Sequence, residues 1–167
     1  SNSNFTAKRI KKYWGRNSSV IHPPVNTKKF SPRKSRSDFY LSVSRLVPNK
    51  RIDLLVKAFN QLDFPLIIVG NGPEKKKLKK MAKNNISFLN YQDDLSIKNL
   101  MESCRAFVYS GTEDFGIAPV EAMAAGAPII AFKKAGILDT VRCINSESKR
   151  ATGILFDTQN DLSLIHI

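Results

Sequence analysis

Short apolar runs that alternate with helix-like segments are the feature that most constrains the fold of this chain. The runs predict strands at residues 39–43, 66–69, 86–89, 106–109, 129–132 and 153–156. Helices are predicted between them, at residues 53–59, 73–83, 95–104, 119–125 and 137–141. Strands of this apolar type are typical of a parallel sheet that helices cover on both faces. The sequence therefore predicts a doubly wound, Rossmann-like α/β domain whose ligands bind at the carboxyl ends of the strands.

The first 37 residues do not follow this alternation. Residues 5–14 predict a basic helix, and residues 20–25 predict a strand that runs into prolines. Residues 26–37 are polar and basic, as in a linker. We therefore separate residues 1–37 from a main domain at residues 38–167.

Charge and cysteine content restrict the function without choosing it. The net charge of +13 suits nucleic acid, an anionic membrane or a phosphorylated small molecule, and also an idle basic surface. No apolar run approaches the roughly 20 residues of a membrane-spanning helix, and no export signal is visible at the start. Cys104 and Cys143 belong to no metal-binding pattern, so we expect reduced thiols, no metal site and a cytoplasmic location.

Two predicted strands are followed by loops that suit a phosphorylated ligand. Arg45 and Lys50 lie on the loop after the first strand, and two cations there suit a diphosphate that has no metal to neutralise it. A solvated surface pair is the competing interpretation, and the spacing alone favours it. Gly70 and Gly72 follow the next strand, where glycine lets a ligand approach the backbone, although glycines also end strands that bind nothing. The pattern is neither a dinucleotide fingerprint nor a P-loop.

The strongest functional signal is the loop between the strand at residues 106–109 and the next helix. Residues 111–118 include two glycines and lead into a helix whose first turn is predicted to begin at Pro119. Free amides and the positive end of the helix dipole form an anion site there. We expect the backbone amides of Phe115, Gly116 and Ile117 to face a sugar or a phosphate.

Two glutamates flank the start of this helix. Glu113 precedes the helix, and Glu121 is predicted to lie in its first turn. A carboxylate accepts two hydroxyl hydrogen bonds in fixed geometry, which suits a neutral polyol. Helix stability alone also explains Glu121, because acidic residues favour helix N-termini. That explanation does not extend to Glu113.

Taken together, these residues resemble the signature of the group 1, retaining family 4 glycosyltransferases. Glu113 and Glu121 are separated by seven residues and are followed by Ala-Met-Ala-Ala-Gly-Ala-Pro at residues 122–128. The loop cations and the Gly-Asn-Gly-Pro segment at residues 70–73 precede them in the expected order. Residues 2–6 and 21–25 resemble the end of that family's first domain and its crossover.

The resemblance implies that the chain is the C-terminal half of a two-domain GT-B enzyme. Residues 38–167 would bind the sugar donor and would be truncated at their end, and residues 1–37 would be the end of the acceptor domain and the crossover. The acceptor domain itself would be missing, so we expect the isolated fragment to be inactive. The catalytic residues implied are Glu113, which contacts the transferred hexose, and Arg45 and Lys50, which stabilise the leaving diphosphate in place of a metal ion.

The resemblance also implies the remaining donor contacts. They are Gly70, Asn71, Tyr91, Gln92, Asp114, Phe115, Gly116, Ile117, Ala118 and Glu121. Glu121 would bind the ribose, and residues 90–92 would lie against the base. The sequence of residues 113–119 is similar to that of family members that use GDP-mannose. We therefore expect a nucleotide-diphosphate sugar as substrate, with GDP-mannose favoured, and no cofactor. The acceptor would be a glycan or a lipid-linked sugar.

Two other functions and one further partner stay open. The charge and the basic N-terminal segment suit a nucleic-acid-binding module, although the absence of any helix-turn-helix, zinc or RNA-recognition motif counts against it. A nucleotide-sugar epimerase of the same fold would share the donor site. The lysine-rich helix at residues 74–83 is either a solvated face or a contact with the anionic inner face of a membrane.

Overall fold

The computed structural model describes residues 1–144 and 150–166 of the chain. The strands are β1 Tyr40–Val43, β2 Leu66–Val69, β3 Ile86–Leu89, β4 Ala106–Tyr109, β5 Ile129–Phe132 and β6 Gly153–Phe156. The α-helices are α1 Asn4–Trp14, α2 Ile52–Leu62, α3 Lys75–Met81, α4 Asp94–Ser103, α5 Ile117–Ala124, α6 Ile137–Thr140 and α7 Asp161–Ile165. One-turn 3₁₀ helices lie at Thr27–Lys29 and Pro48–Lys50.

The six strands form one parallel sheet in the order β3-β2-β1-β4-β5-β6. The chain runs outward from β1 to β3 and then returns to build the other half of the sheet from β4. The strand order therefore reverses between β1 and β4. Ligands of open α/β sheets bind at such a reversal, in the crevice outside the carboxyl ends of the strands. The doubly wound fold predicted from the sequence is confirmed.

Helices cover both faces of the sheet. Helices α2, α3 and α7 pack on one face, and helices α4, α5 and α6 pack on the other. All four residues of β4 are buried, with Phe107 turned to the second group of helices and Val108 to the first. Burial on both faces is the reason that the strands read as continuous apolar runs.

One predicted strand and two helix starts were wrong. Residues 20–25 form no strand, because Pro23 and Pro24 have no amide hydrogen to donate to a ladder. The Ile21 amide donates to the Ser1 carbonyl oxygen instead of to a strand of the sheet. Helix α3 begins at Lys75 instead of position 73, and α5 begins at Ile117 instead of Pro119. The other strands agree with prediction within one residue.

The segment at residues 26–37 is held on the domain along its length. Phe30 is buried with the side chains beneath α4 and α5, and the Ser31 amide donates to the buried carboxylate of Glu102 at 2.7 Å. The Arg36 guanidinium donates to the carbonyl oxygens of Cys104 and Ala125, each at 2.7 Å. One arginine thereby satisfies free carbonyls at the C-terminal ends of both helices.

Replacing Arg36 by alanine is expected to lower the free energy of unfolding by about 2–3 kcal/mol. The change removes charge-assisted hydrogen bonds and leaves helix-end carbonyls without a partner. Urea denaturation followed by circular dichroism measures the loss. Lys34→Ala is the matched control, because Lys34 is exposed and its loss should cost less than about 0.5 kcal/mol. Equal stability of the two variants would show that the segment is not held through Arg36.

Candidate functional site

A cleft of about 490 Å³ opens at the carboxyl edge of the sheet, where the strand order reverses. Its walls are the loop after β1, the loop after β4 with the start of α5, and Asn2 and Pro23 of the N-terminal segment. The predicted residues that line it are Arg45, Lys50, Glu113, Asp114, Phe115, Gly116, Ile117 and Ala118. The position agrees with the ligand crevice expected of this topology.

A second cavity of about 370 Å³ adjoins the cleft and shares Val43, Ser44 and Arg45 with it. The predicted residues that line the second cavity are Gly70, Asn71, Tyr91 and Gln92. Tyr91 is 79% exposed at its rim. Both cavities have the size of small-molecule sites, and together they bring every predicted site residue except Glu121 to one edge of the sheet.

Glu113 lies at the centre of the cleft and is held by two donors. The Lys50 ammonium contacts its Oε1 atom, and the Tyr109 hydroxyl donates to the same atom at 2.6 Å. Lys50 is only 16% exposed. Burial and the neighbouring Arg45 guanidinium lower the pKa of Lys50.

Tyr109 is a site residue that was not predicted from the sequence. Tyr109 is the last residue of β4 and is 5% exposed, so it reads as a core residue of the strand. Burial raises the pKa of Tyr109, which keeps its hydroxyl protonated and able to donate. The available signal was a hydroxyl at the carboxyl end of a strand, four residues before a glutamate.

Arg45 differs from Lys50 in having no ion-pair partner among the described residues. Its side chain is exposed and borders both cavities. Within residues 1–144 and 150–166 no acceptor is bonded to its guanidinium. A guanidinium donates through a planar fork that fits carboxylates and phosphates. Arg45 is therefore a cation without a hydrogen-bond or ion-pair partner in the described residues, and it lies where the cleft meets the second cavity.

The loop after β1 is fixed against the loop after β4. Arg51 adopts φ 53° at the end of the 3₁₀ turn that carries Lys50. The Ser110 hydroxyl lies 2.7 Å from the carbonyl oxygen of Arg51 and 3.0 Å from that of Lys50. A Cβ atom at Gly111 would lie 3.1 Å from the Lys50 Cα atom. The two loops thus hold Lys50 in a defined position beside the cleft.

The glycines after β2 have a packing role. A Cβ atom at Gly70 would lie 1.9 Å from the Ser44 carbonyl oxygen, and one at Gly72 would lie 2.2 Å from that of Leu46. Gly70 also has φ 142°. The loops after β1 and β2 therefore approach each other too closely for any side chain, which explains these glycines without reference to a ligand.

The start of α5 differs from the prediction in one respect that bears on Glu121. Gly116 precedes the helix with φ 90°, and the first turn begins at Ile117. Pro119 has no amide hydrogen, so the free donors of the turn are those of Ile117 and Ala118. Glu121 lies in the second turn instead of the first, and helix-end stabilisation, which acts in the first turn, does not account for it.

Glu121 is engaged by a residue from a distant part of the chain. Lys29 donates to its Oε1 atom at 2.8 Å from the one-turn helix in the N-terminal segment. The Glu121 side chain is 22% exposed, and it is not among the residues that line either cavity.

The N-terminal segment forms one wall of the cleft. Arg9 pairs with Asp114 at 3.0 Å, and the His22 ring stacks on Phe115 with centroids 5.2 Å apart. Both members of the ion pair are about half exposed, so it contributes no more than about 1 kcal/mol. These contacts place the segment beside the loop that carries Glu113.

Within residues 1–144 and 150–166 no group of three His, Cys, Asp or Glu side chains is arranged to hold a metal ion. The expected absence of a cofactor stays a prediction. None of the helices in these ranges combines the length and the apolar character that crossing a bilayer requires. Cys104 is buried, which raises its pKa to about 11.

Comparison with known proteins decides the family. The model of the family described as glycosyl transferases group 1 matches residues 25–166. The chain belongs to this family. The membership and the Rossmann-like, GT-B type of fold that the sequence resemblance implied are therefore confirmed.

Two curated relatives of this group 1 glycosyltransferase chain are similar to it over most of its length. An uncharacterized glycosyltransferase of Methanocaldococcus jannaschii is 32% identical in an alignment of 127 positions that covers 73% of this chain and 36% of that protein. A GDP-mannose-dependent monoacylated alpha-(1-6)-phosphatidylinositol monomannoside mannosyltransferase of Corynebacterium glutamicum is 30% identical in an alignment of 171 positions that covers 83% of this chain and 45% of that protein. This chain thus spans less than half the length of these curated relatives.

A solved structure shows the same fold over nearly the whole chain. Anabaena HepE, crystallised in complex with UDP and glucose, superposes with a TM-score of 0.83 at 24% sequence identity. The superposition covers 99% of this chain and 50% of the Anabaena chain.

Proposed function

We propose that this chain is the donor-binding domain of a retaining glycosyltransferase and that a nucleotide-diphosphate sugar occupies the cleft and the adjoining cavity. The observation that carries the proposal is the meeting of Arg45, Lys50 and Glu113 in one cleft at the reversal of strand order. Cations and a carboxylate in one crevice suit a ligand that is anionic at one part and polyhydroxylated at another.

The diphosphate is assigned to the junction of the two cavities. Arg45 borders both and has a guanidinium that suits a phosphate. Lys50 lies farther inside the cleft beside Glu113. As the bond to the sugar breaks, negative charge develops on the diphosphate, and two fixed cations stabilise it without a metal ion. The acceptor then attacks from the same face, and Glu113 is not assigned as a nucleophile.

The hexose is assigned to Glu113 and to the amides at the start of α5. Glu113 accepts hydroxyl hydrogen bonds, and the free amides of Ile117 and Ala118 donate to sugar or phosphate oxygens. The base is assigned to the second cavity, against Tyr91 and Gln92. Gly70, Asn71, Asp114, Phe115 and Gly116 complete the proposed donor contacts.

The ribose is assigned to Glu121, the one predicted residue outside the two cavities. Its Oε1 atom is bonded to Lys29, so ribose binding uses its other oxygen. Replacement of Glu121 by alanine is expected to weaken binding of both a nucleotide sugar and its nucleotide diphosphate, because both contain the ribose.

GDP-mannose is the donor that we favour. The amino-acid sequence of residues 113–119 supports this choice, as does the Corynebacterium relative, whose name states that it depends on GDP-mannose. The acceptor is proposed to be a glycan or a lipid-linked sugar, bound with the help of a domain outside this chain. The fragment is therefore proposed to bind donor without transferring it. Family membership does not favour the alternatives of a nucleic-acid-binding module or an epimerase.

A peripheral contact with the anionic inner face of a membrane is proposed for α3. Lys76, Lys77, Lys79 and Lys80 are exposed on this helix, and Lys83 is exposed just after it. Glu74 neutralises only Lys77, at 3.4 Å. Each lysine close to the surface of an anionic membrane contributes about 1 kcal/mol of attraction. Such a contact would place a cytoplasmic donor site near a lipid-linked acceptor.

Calorimetric titration of the folded chain with GDP-mannose, GDP, UDP-glucose and UDP in the presence of EDTA tests the proposed function. We expect one nucleotide sugar to bind, and to bind more tightly than its own diphosphate. Salt-sensitive binding of duplex DNA without a response to any of the four nucleotides would favour the nucleic-acid module. Conversion of a donor to another nucleotide sugar without an acceptor would favour the epimerase. Absence of binding to all four would overturn the proposal.

A further inference from the structure

The geometry points to Tyr109 as a positioning residue, which orients the Glu113 carboxylate for the hexose of the donor. This inference rests on the proposed function, because it assigns Glu113 to the sugar. The Tyr109 hydroxyl donates to Glu113 Oε1 at 2.6 Å, and Lys50 contacts the same oxygen. Because both donors use Oε1, they fix the plane of the carboxylate and leave Oε2 for a hydroxyl of the ligand.

Tyr109 and Lys50 contribute differently to this arrangement. The terminal torsion of a glutamate is broad, so a carboxylate with one mobile donor samples many orientations. The lysine ammonium is a point charge on a flexible stem and tolerates such rotation. The Tyr109 ring is buried in the core beneath α4 and α5, at the rigid end of β4. Its hydroxyl therefore defines a fixed point for a side chain that stands on a loop.

Surrounding residues support the position of this hydroxyl. A Cβ atom at Gly111 would lie 3.3 Å from the Tyr109 hydroxyl oxygen, so the absence of a side chain there leaves room for the hydroxyl. Burial raises the pKa of Tyr109, and the phenol remains a donor at neutral pH. The main chain of Glu113 is fixed as well, because its carbonyl oxygen accepts from the Gly136 amide at 2.9 Å. Backbone and side chain of Glu113 are thus held by separate contacts.

The test compares Tyr109→Phe with the unaltered chain for two ligand pairs, GDP-mannose with GDP and UDP-glucose with UDP. Phenylalanine keeps the buried ring and removes only the hydroxyl. For the pair that the chain binds, we expect affinity for the nucleotide sugar to fall about tenfold, and affinity for the diphosphate to change by less than about twofold. A purely structural role would weaken both ligands of a pair equally.

Tyr40→Phe is the matched control, because Tyr40 begins β1 at the opposite edge of the sheet. It should leave both affinities unchanged. In the double variant with Glu113→Gln, the Tyr109→Phe change should add no further loss, since Tyr109 acts through Glu113. Equal weakening of sugar and diphosphate, or additive losses in the double variant, would overturn the inference alone. Failure of the unaltered chain to bind either pair would overturn the proposed function and this inference together.

Discussion

Replacing Arg45 by alanine is expected to weaken binding of GDP and GDP-mannose about a hundredfold and to leave the free energy of unfolding within about 0.5 kcal/mol of its original value. The guanidinium is exposed and forms no ion pair or hydrogen bond within the described residues, so its loss breaks no native polar contact. It borders both cavities, and charge-assisted hydrogen bonds to a diphosphate contribute about 1.5–3 kcal/mol each. If the chain binds UDP-glucose instead, the same losses apply to UDP and UDP-glucose.

The control for Arg45 separates a local contact from the effect of net charge. Arg105→Ala removes the same charge from the opposite edge of the sheet, where Arg105 pairs with Asp38 at 3.0 Å. It should change nucleotide affinity by less than about twofold, since exposed charges that far apart are screened by salt. Calorimetry with GDP and with guanosine completes the test, because guanosine has no phosphate for Arg45 to bind. Equal losses from the two variants would contradict the assignment of the diphosphate to Arg45.

Gly136→Ala is expected to lower the free energy of unfolding by about 3 kcal/mol or more. A Cβ atom at Gly136 would lie 2.3 Å from the Asp114 carbonyl oxygen and 2.5 Å from the Phe115 Cα atom. Both contacts are with backbone, so the clash is relieved only by moving the loop that carries Glu113 or by moving α6. The fraction of Gly136→Ala that is folded should also bind the nucleotide sugar more weakly than the unaltered chain does.

Gly15→Ala provides the comparison for Gly136. Gly15 ends α1 with φ 66°, and a Cβ atom there would meet no heavy atom within 4 Å. Its substitution introduces backbone strain without a clash and should cost about 1 kcal/mol. Urea denaturation of both variants measures the difference. A loss for Gly136→Ala no larger than that for Gly15→Ala would show that the donor loop does not depend on this close approach.

Most of the fold could be predicted from the sequence because parallel strands buried on both faces carry a strong local signal. The runs at β2, β4 and β5 lie within a residue of the predicted bounds. The segment at residues 20–25 resembles an extended strand just as well. Whether a strand forms depends on a neighbour to pair with, and its two prolines remove donors that pairing needs. Local pattern contains no information about that neighbour.

The grouping of Arg45, Lys50 and Glu113 could be predicted because all three follow carboxyl ends of strands, and those ends meet at one edge of the sheet. The partners of the site residues could not. Lys29 reaches Glu121 across 92 positions, and the spacing of the sequence gives no sign of that pair. Contacts of this kind depend on how the N-terminal segment returns over the domain.

The start of α5 was misplaced for a different reason. Proline is favoured at the first position of a helix, which led to the expectation that the helix begins at Pro119. In the structure Gly116 adopts φ 90° and lets the helix begin at Ile117, with proline third. Glycine is also accepted at the residue before a helix, and Gly116 takes that position here, which moves Glu121 into the second turn.

The most direct test of the account locates the nucleotide on the chain. A protein of charge +13 attracts any polyanion, so affinity alone does not identify the site. We predict that GDP-mannose or UDP-glucose, added to ¹⁵N-labelled chain in EDTA, shifts the amide NMR signals of residues 44–46, 70–71 and 113–121 most strongly. Tripolyphosphate should not reproduce the shifts at residues 113–118. Shifts confined to the lysines of α3, equal for both nucleotide sugars and tripolyphosphate, would contradict the assignment of the cleft as the donor site.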